Sequence, residues 1–289
     1  MNRRTFLEAA LLGAPPIVDT HIHLFDTARP QGVPWPDKGN TKLFQPALPP
    51  RLRRIAAPQG VTGAIAIECS PWLEDNQWLL DTAARDRFIL GVVGNLEPGS
   101  PTFGSQLDKY HRNPLFLGIR YGNIWNRDLA AAIRRPEFIP DLKILAQAGL
   151  VLDTANPNPK LIEAVLEVAA RVPDLRIIID HLPQMEPNAQ VRELAKYPQI
   201  FVKGSAVLRR VEGRVPTDPA FYKPRLDTMF ELFGPDRLLY GSDWPNSDQW
   251  GSYAQVFAVV RNYFATKSPA ESEQFFWKNA ASAYRWRAK

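Results

Sequence analysis

Ile17-Val18-Asp19-Thr20-His21-Ile22-His23-Leu24-Phe25-Asp26 is the stretch from which the rest of the chain is read. A short apolar lead, Ile17-Val18, runs straight into His21-Ile22-His23. In a strand, alternate side chains share a face, so His21 and His23 leave one short strand side by side. Two imidazoles so placed can hold a metal ion together or polarise a carbonyl. A His-X-His also arises by accident in a turn, so the pair gains weight only from what lies around it. The chain has four histidines. Two are in this stretch, and a third, His181, ends another apolar run.

Outward from that strand the chain alternates. Residues 26–50 carry Pro30, Pro34, Pro36, Pro46, Pro49 and Pro50 with Trp35 among them, which excludes regular helix and predicts a long loop after the first strand. Trp35 either lines a pocket mouth or fills a gap in the core. Beyond it, buried strands are expected at 63–68, 88–93, 115–120, 150–153, 175–181, 200–203 and 237–243. Helices are expected at 48–57, 73–87, 103–112, 138–147, 159–171, 188–196, 218–233, 253–264 and 270–284. Eight short, nearly continuous apolar strands alternating with amphipathic helices predict a parallel sheet covered on both faces. Eight such units in one chain fit a closed (β/α)₈ barrel, an α/β fold, better than an open doubly wound sheet. No Gly-rich phosphate loop follows any strand, and no linker divides the chain.

Composition narrows the function classes. The 289 residues include 45% hydrophobic types, enough for a sizeable core, and carry a formal charge of +5. The basic residues are scattered, with pairs at 53–54, 134–135 and 209–210 but no run, which speaks against nucleic acid as a partner and is compatible with a small anionic substrate. The single Cys69 excludes an internal disulfide and a cysteine-based zinc cluster. No apolar run approaches a membrane span. Arg3-Arg4-Thr5-Phe6-Leu7 resembles a twin-arginine export signal, but its apolar stretch is short and contains Glu8. Residues 1–14 therefore read as a degenerate signal or a loose N-terminus before a barrel over 15–289. A cytoplasmic location is expected, with periplasmic export as the alternative. Homo-oligomerisation stays open.

In a barrel of this kind the site lies at the C-terminal ends of the strands. The polar residues expected there are His21, His23, Glu68 with Cys69 and Ser70, Asn95, Arg120, Tyr121, Asp153, His181, Lys203 and Asp243. Three of the four histidines thus fall on one rim, while His111 falls in a helix. Asp243, between Tyr240-Gly241-Ser242 and Trp244-Pro245, reads either as a general base or as a cap for a backbone amide. Arg120 reads as a two-pronged grip on a substrate carboxylate or as a salt bridge to Glu68 or Asp153. Lys203 either pairs internally or binds a substrate oxygen. Asp180, next to His181, is expected to point to the opposite face and to serve packing or support.

Several stretches together carry a family resemblance: Asp19 to Asp26 followed by Pro34-Trp35; Leu117-Gly118-Ile119-Arg120; Ile178-Ile179-Asp180-His181-Leu182; Phe201-Val202-Lys203-Gly204-Ser205; Phe233 to Pro245 with its Gly241-Ser242-Asp243-Trp244-Pro245; and Lys278-Asn279-Ala280. In this order the chain resembles the amidohydrolase superfamily, and within it the lactonase branch that includes L-fuconolactonase and 2-pyrone-4,6-dicarboxylate lactonase. The resemblance implies that His21, His23, His181 and Asp243 form the catalytic set. It implies that they hold one divalent ion, usually zinc, in metal-using relatives, and that in the lactonase branch the metal is often dispensable. It also implies a substrate contact for Arg120. The fourth strand lacks the bridging lysine or glutamate of two-metal relatives, and Leu182-Pro183-Gln184 departs from the glycine common after the Asp-His-Leu run.

The expected reaction is hydrolysis of a lactone, either of a sugar acid or of a carboxylated pyrone-like ring. Asp243 activates water, and the three histidines polarise the carbonyl. Tyr121, Trp35, Lys203, Arg120 and Trp244 are the expected substrate contacts, with Trp35 and Trp244 as an apolar wall. The cofactor is either none or one zinc or other divalent ion. The rival expectations are a metal-dependent decarboxylase of an aromatic acid, which is a lyase, and a non-catalytic barrel that binds a small anion.

Overall fold

A computed structural model describes residues 15–182 and 185–286. The sequence readings for residues 1–14 and for Pro183-Gln184 lie outside the described residues. Among the described residues no helix is long and apolar enough to cross a membrane.

Eight strands pair in parallel in chain order: β1 (Val18–Ile22), β2 (Gly63–Ile67), β3 (Ile89–Gly94), β4 (Phe116–Arg120), β5 (Val151–Thr154), β6 (Ile177–Ile179), β7 (Ile200–Gly204) and β8 (Leu238–Tyr240). The chain beyond β8 returns to β1 and closes the cylinder. Ile22 and Trp244 form a parallel bridge, His23 N donates to Trp244 O at 2.7 Å, and Asp243 N donates to His21 O at 2.8 Å. The expected (β/α)₈ barrel is the fold.

The residues explain the layering. On β2, Ile65 and Ile67 join the cluster inside the barrel, whereas Ala64 and Ala66 face the outer helices. Both faces are covered, so the strands read as continuous apolar runs. The outer ring comprises α1 (Pro49–Ala56), α2 (Asp75–Arg85), α3 (Phe103–Tyr110), α4 (Leu129–Ala132), α5 (Phe138–Gln147), α6 (Pro159–Arg171), α7 (Ala189–Leu194), α8 (Lys223–Phe233), α9 (Tyr253–Phe264) and α10 (Pro269–Glu273), and α11 (Asn279–Tyr284) ends the chain's regular structure. Helix α6 shows how local sequence sets such an element. The Asn158 side chain caps Leu161 N at 2.9 Å, and Pro159 occupies the first turn, where its missing N–H costs nothing. Leu161, Ile162, Val165 and Val168 are buried, each stabilising the fold by about 1.5–3 kcal/mol.

Three elements differ from expectation. Helix α4 was not visible in the sequence because four residues show no periodicity. The helix expected over 218–233 begins as a 3₁₀ turn, Pro219–Tyr222, with Pro224 in the first turn of α8. The helix expected over 270–284 is broken by a π turn, Gln274–Lys278, which separates α10 from α11. Ala280, Ala283 and Tyr284 of α11 join the cluster inside the barrel.

The Pro-rich loop is tied at its base. Phe25 N donates to Ala47 O at 3.1 Å and Ala47 N to Phe25 O at 2.9 Å, so the loop leaves β1 and returns to the same place before α1.

Candidate active site

The first strand carries a register shift between Asp19 and Ile22. Val18 points into the barrel, Asp19 points out, and His21 and His23 both turn back in. Asp19 accepts from Ser242 N at 2.8 Å and from His21 N at 3.1 Å through Oδ1, and from the Tyr253 hydroxyl at 2.8 Å through Oδ2. It fastens β1 to the chain after β8 directly behind the histidines. Burial raises its carboxyl to about 6, against the pull of those hydrogen bonds.

Asp243 is the centre of the cluster. Its Oδ1 lies 3.3 Å from His23 Nε2, 3.6 Å from His21 Nε2 and 3.9 Å from His181 Nε2. Its Oδ2 accepts from Asn246 Nδ2 at 2.8 Å. Asp243 Oδ1 and His21 Nε2 are buried without a hydrogen-bond partner. Asp243 and His181 both have left-handed backbones, with φ of 62° and 58°. Conformations of this kind persist where surrounding structure over-determines them, and they gather at functional sites.

The left-handed turn at His181 corrects one expectation. Ile178 faces the barrel interior, so strict alternation sends Asp180 inward and His181 outward. The positive φ brings His181 back in beside it. Asp180 therefore does not point to the opposite face. Its Oδ1 lies 3.3 Å from His21 Nδ1 and 2.9 Å from Lys203 Nζ.

Each imidazole is held by its Nδ1 and aims its Nε2 at Asp243. His23 Nδ1 is 3.0 Å from Ile67 O, His181 Nδ1 is 2.9 Å from Ser205 Oγ, and His21 Nδ1 faces Asp180 and Lys203. Burial lowers the pKa of His21 well below its ordinary value and that of His181 in the same direction, so both rings are neutral at pH 7. Desolvation presses the Asp243 carboxyl upward. As the imidazoles take up protons in acid, their charge, His181 foremost, outweighs it and holds the group below the ordinary carboxylate range.

The donors fit a divalent ion. A backbone carbonyl only accepts, so His23 carries its proton on Nδ1 and turns a lone pair toward Asp243 Oδ1 at 3.3 Å. Two acceptors that close need a proton or a cation between them. His21, His23 and Asp243 offer ligand atoms all within 4.8 Å of one another. Glu68, Asp153, Asp180 and Asp243 bring four buried carboxylates to this end of the barrel, and Arg120 and Lys203 two cations. The excess of negative charge suits a cation.

The other expected contacts divide. Trp35 does reach the cluster: its ring meets His23 edge-on at 5.7 Å and Phe25 at 5.3 Å. Arg120 forms the rim salt bridge rather than a free grip. Its Nε donates to Glu68 Oε1 at 2.8 Å and its Nη2 to Glu68 O at 2.5 Å. The Tyr121 hydroxyl is bound by Glu97 and Arg135, in a rim cleft of about 480 Å³ shared with Trp125 and Arg127. Two expectations need correction. Lys203 is completely buried, with Nζ 2.6 Å from Asp153 Oδ2, and pairs internally instead of reaching for substrate. Trp244 is completely buried beneath the Arg51 guanidinium and is a core side chain, not a pocket wall. His111 ends α3 with its Nδ1 on Leu107 O, as a structural residue would.

Sequence reasoning missed Trp125, Asn246 and Tyr284. The first two were findable, since they lie in loops that follow β4 and β8. The Trp125 indole donates to Glu68 Oε2 at 3.0 Å. Tyr284 lies in the last helix, and nothing local marks it.

These features define a (β/α)₈-barrel enzyme whose centre is three imidazoles gathered on one carboxylate at the C-terminal ends of the strands. The chain belongs to the amidohydrolase family, which it matches over residues 18–286. Among curated relatives it is 30% identical over 252 residues to an L-fucono-1,5-lactonase of Burkholderia ambifaria, covering 83% of this chain and 84% of the relative. It is 24% identical over 281 residues to an L-fucono-1,5-lactonase of Burkholderia multivorans, covering 92% and 94%. Among solved structures, an amidohydrolase from Burkholderia multivorans with bound zinc superposes with a TM-score of 0.83 at 24% identity, over 94% of this chain and 99% of that one.

Proposed function

We propose that this enzyme opens a lactone by hydrolysis, and that the lactone is that of a polyhydroxylated sugar acid. The observation that carries the reading is the approach of three Nε2 atoms to one unpartnered carboxylate oxygen, Asp243 Oδ1, within 3.3–3.9 Å. A general base beside several ring nitrogens suits acyl transfer to water, and the lactonases among the relatives support the same class. Arg120 bears on the choice of lactone. Two of its three nitrogens are engaged by Glu68 and the third, Nη1, lies 3.9 Å from Asp180 Oδ2, so its charge is already shared between two buried carboxylates that would repel a third. That favours a neutral sugar-acid lactone over a carboxylated pyrone.

In this reading Asp243 Oδ1 takes a proton from water as its oxygen bonds to the lactone carbonyl carbon. The tetrahedral oxyanion is stabilised by imidazole N–H groups, a contribution of about 3–4 kcal/mol per well-placed donor. The ring C–O bond then breaks, and the departing oxygen takes the proton back from Asp243. The products are a hydroxyl and a carboxylic acid. Asn246, bound to Oδ2, keeps Oδ1 turned to the centre, and Trp35 shields His23. If a divalent ion is held by His21, His23, His181 and Asp243, it supplies Lewis-acid polarisation and a more acidic water.

The test is acid release from sugar-acid 1,4- and 1,5-lactones and from carboxylated lactones, with carbon dioxide followed in parallel on carboxylated aromatic acids. Turnover of a sugar-acid lactone, lost in Asp243→Asn, is expected. Carbon dioxide release without any lactone hydrolysis would overturn the reading in favour of a lyase.

A further inference from the structure

Beneath the three imidazoles lies a second polar cluster that takes no direct part in the proposed hydrolysis. Lys203 is its hub. Its ammonium sits 2.6 Å from Asp153 Oδ2, 2.9 Å from Asp180 Oδ1 and 3.2 Å from His21 Nδ1. A lysine ammonium has three protons to donate and accepts nothing. Here three acceptors surround it, all completely buried. Asp153 is held in turn by the Tyr284 hydroxyl at 2.9 Å, which reaches it from the C-terminal helix.

His21 Nδ1 therefore has two neighbours that ask opposite things of it. Asp180 Oδ1, at 3.3 Å, would take a proton from Nδ1. Lys203 Nζ, at 3.2 Å, would give one. The surroundings decide between them. Lys203 Nζ stands in hydrogen-bonding geometry to His21 Nδ1, whereas Asp180 Oδ1 hydrogen-bonds to neither group and meets Lys203 only as a charge, at 2.9 Å.

We propose that Lys203 is a positioning residue that holds His21 as the tautomer protonated on Nε2, so that His21 shows the reacting centre a hydrogen-bond donor and His23 shows it a lone pair. The two histidines of the opening motif then differ in role although their Nε2 atoms flank the same oxygen. His23 has its proton drawn to Nδ1 by Ile67 O. His21 has its proton kept on Nε2 by Lys203. Within the lactone reading, on which only this step rests, His21 is the ring that donates to the carbonyl oxygen. The tautomer also bears on cation capture. A metal can recruit His21 Nε2 only when the proton moves to Nδ1, where Asp180 accepts it and Lys203 loses an acceptor. Lys203 thus opposes cation binding at His21, and Asp153 with Tyr284 keeps Lys203 in place to do so.

The test is long-range ¹⁵N–¹H correlation spectroscopy on the full chain, labelled at histidine nitrogen and freed of metal by chelation. The four histidines are assigned by single substitution. The expected spectrum has His21 protonated on Nε2 and His23 on Nδ1. In Lys203→Met, Asp180 becomes the only partner of His21 Nδ1. The proton should move there, and zinc affinity, read by chelator competition, should rise by about tenfold or more, opposite in sign to the usual loss when a group behind a ligating histidine is removed. On a lactone substrate, metal-free kcat should fall with little change in KM. His21 protonated on Nδ1 in the unsubstituted protein would overturn the proposal. So would a Lys203→Met protein with unchanged tautomer and zinc affinity. If that variant does not fold, the unsubstituted spectrum decides alone. The spectrum and the zinc titration need no substrate, so failure to turn over any lactone leaves this inference standing.

Discussion

Asp243 concentrates the chemistry in one atom, and its neighbours state what its loss should do. In Asp243→Asn the backbone bond to His21 O and the side-chain contact with Asn246 can both persist, so the melting temperature should change little. Activity should fall by about 10²–10⁴-fold, the range for loss of a general base. Steady-state kinetics with a thermal melt checks both at once. Because the imidazoles hold the Asp243 carboxyl below the ordinary range, kcat/KM should not fall on the acid side until below about pH 4. A full carboxylate limb near pH 5 would contradict that environment. Cys69 lends itself to a chemical check. Burial, and after it the neighbouring Glu68, pushes its thiol well above the usual value. A thiol reagent should leave the native chain unlabelled at pH 8 and modify Cys69 once denaturant is added. Spacing placed His21, His23, His181 and Asp243 on one rim. It could not tell that Asp180 shares the interior with His181, because a left-handed residue breaks the two-residue period on which that expectation rested.

The strands hold these residues only because neighbours approach closely at particular points. Gly118, in the middle of β4, is one of them. A Cβ there would lie 2.4 Å from Val151 O on β5, and β5 cannot retreat without disturbing Asp153 beside Arg120. Gly118→Ala should destabilise the fold by about 1–3 kcal/mol, the usual cost of overpacking. Urea unfolding measures it, and an unchanged midpoint would show that the strands can part freely. Helix α9 makes a milder case. Ser252 and Gln255 form a reciprocal cap at its start, next to Tyr253, which binds Asp19. Ser252→Ala should cost about 1 kcal/mol by the same measurement. The prolines of the loop between β1 and α1 make it long and non-helical. Its closure by Phe25 and Ala47, and the contact of Trp35 with His23, depend on where it returns, which prolines do not specify.

Closure of the barrel is what makes one site out of distant residues, and Asp19 reports on it. The carboxylate bridges the first strand to Ser242 and Tyr253 at the other end of the chain. Its folded pKa, about 6, lies above the ordinary 3.8. The protonated form is therefore favoured in the native state. The contribution to stability is complete below 3.8 and is lost as pH rises through about 6, a change of about 3 kcal/mol. The buried histidines act in the opposite sense over part of this range, so the comparison is best made against Asp19→Asn, which cannot ionise and keeps an oxygen for Ser242 N and His21 N. The stability difference between variant and unsubstituted protein should shift by about 2–2.5 kcal/mol in favour of the variant between pH 4 and 7, as read from denaturation curves. A difference independent of pH would mean that Asp19 titrates as it does in water.

By itself the sequence determined the alternation of strands and helices, the residue types at the strand ends, and hence the barrel, its histidine–aspartate rim and its family. These are legible because hydrophobic period and side-chain chemistry belong to neighbouring residues. Only the tertiary structure decided that Arg120 is claimed by Glu68, that Trp244 is core, and that Lys203 serves His21, 182 residues away in the chain. It also decided that Tyr284 braces Asp153 from 131 residues away. Such partnerships exist only when the eighth strand meets the first. A buried charge then takes whichever acceptor the closed cylinder brings within about 3 Å, because in a low-dielectric interior an unpaired charge is too costly to leave.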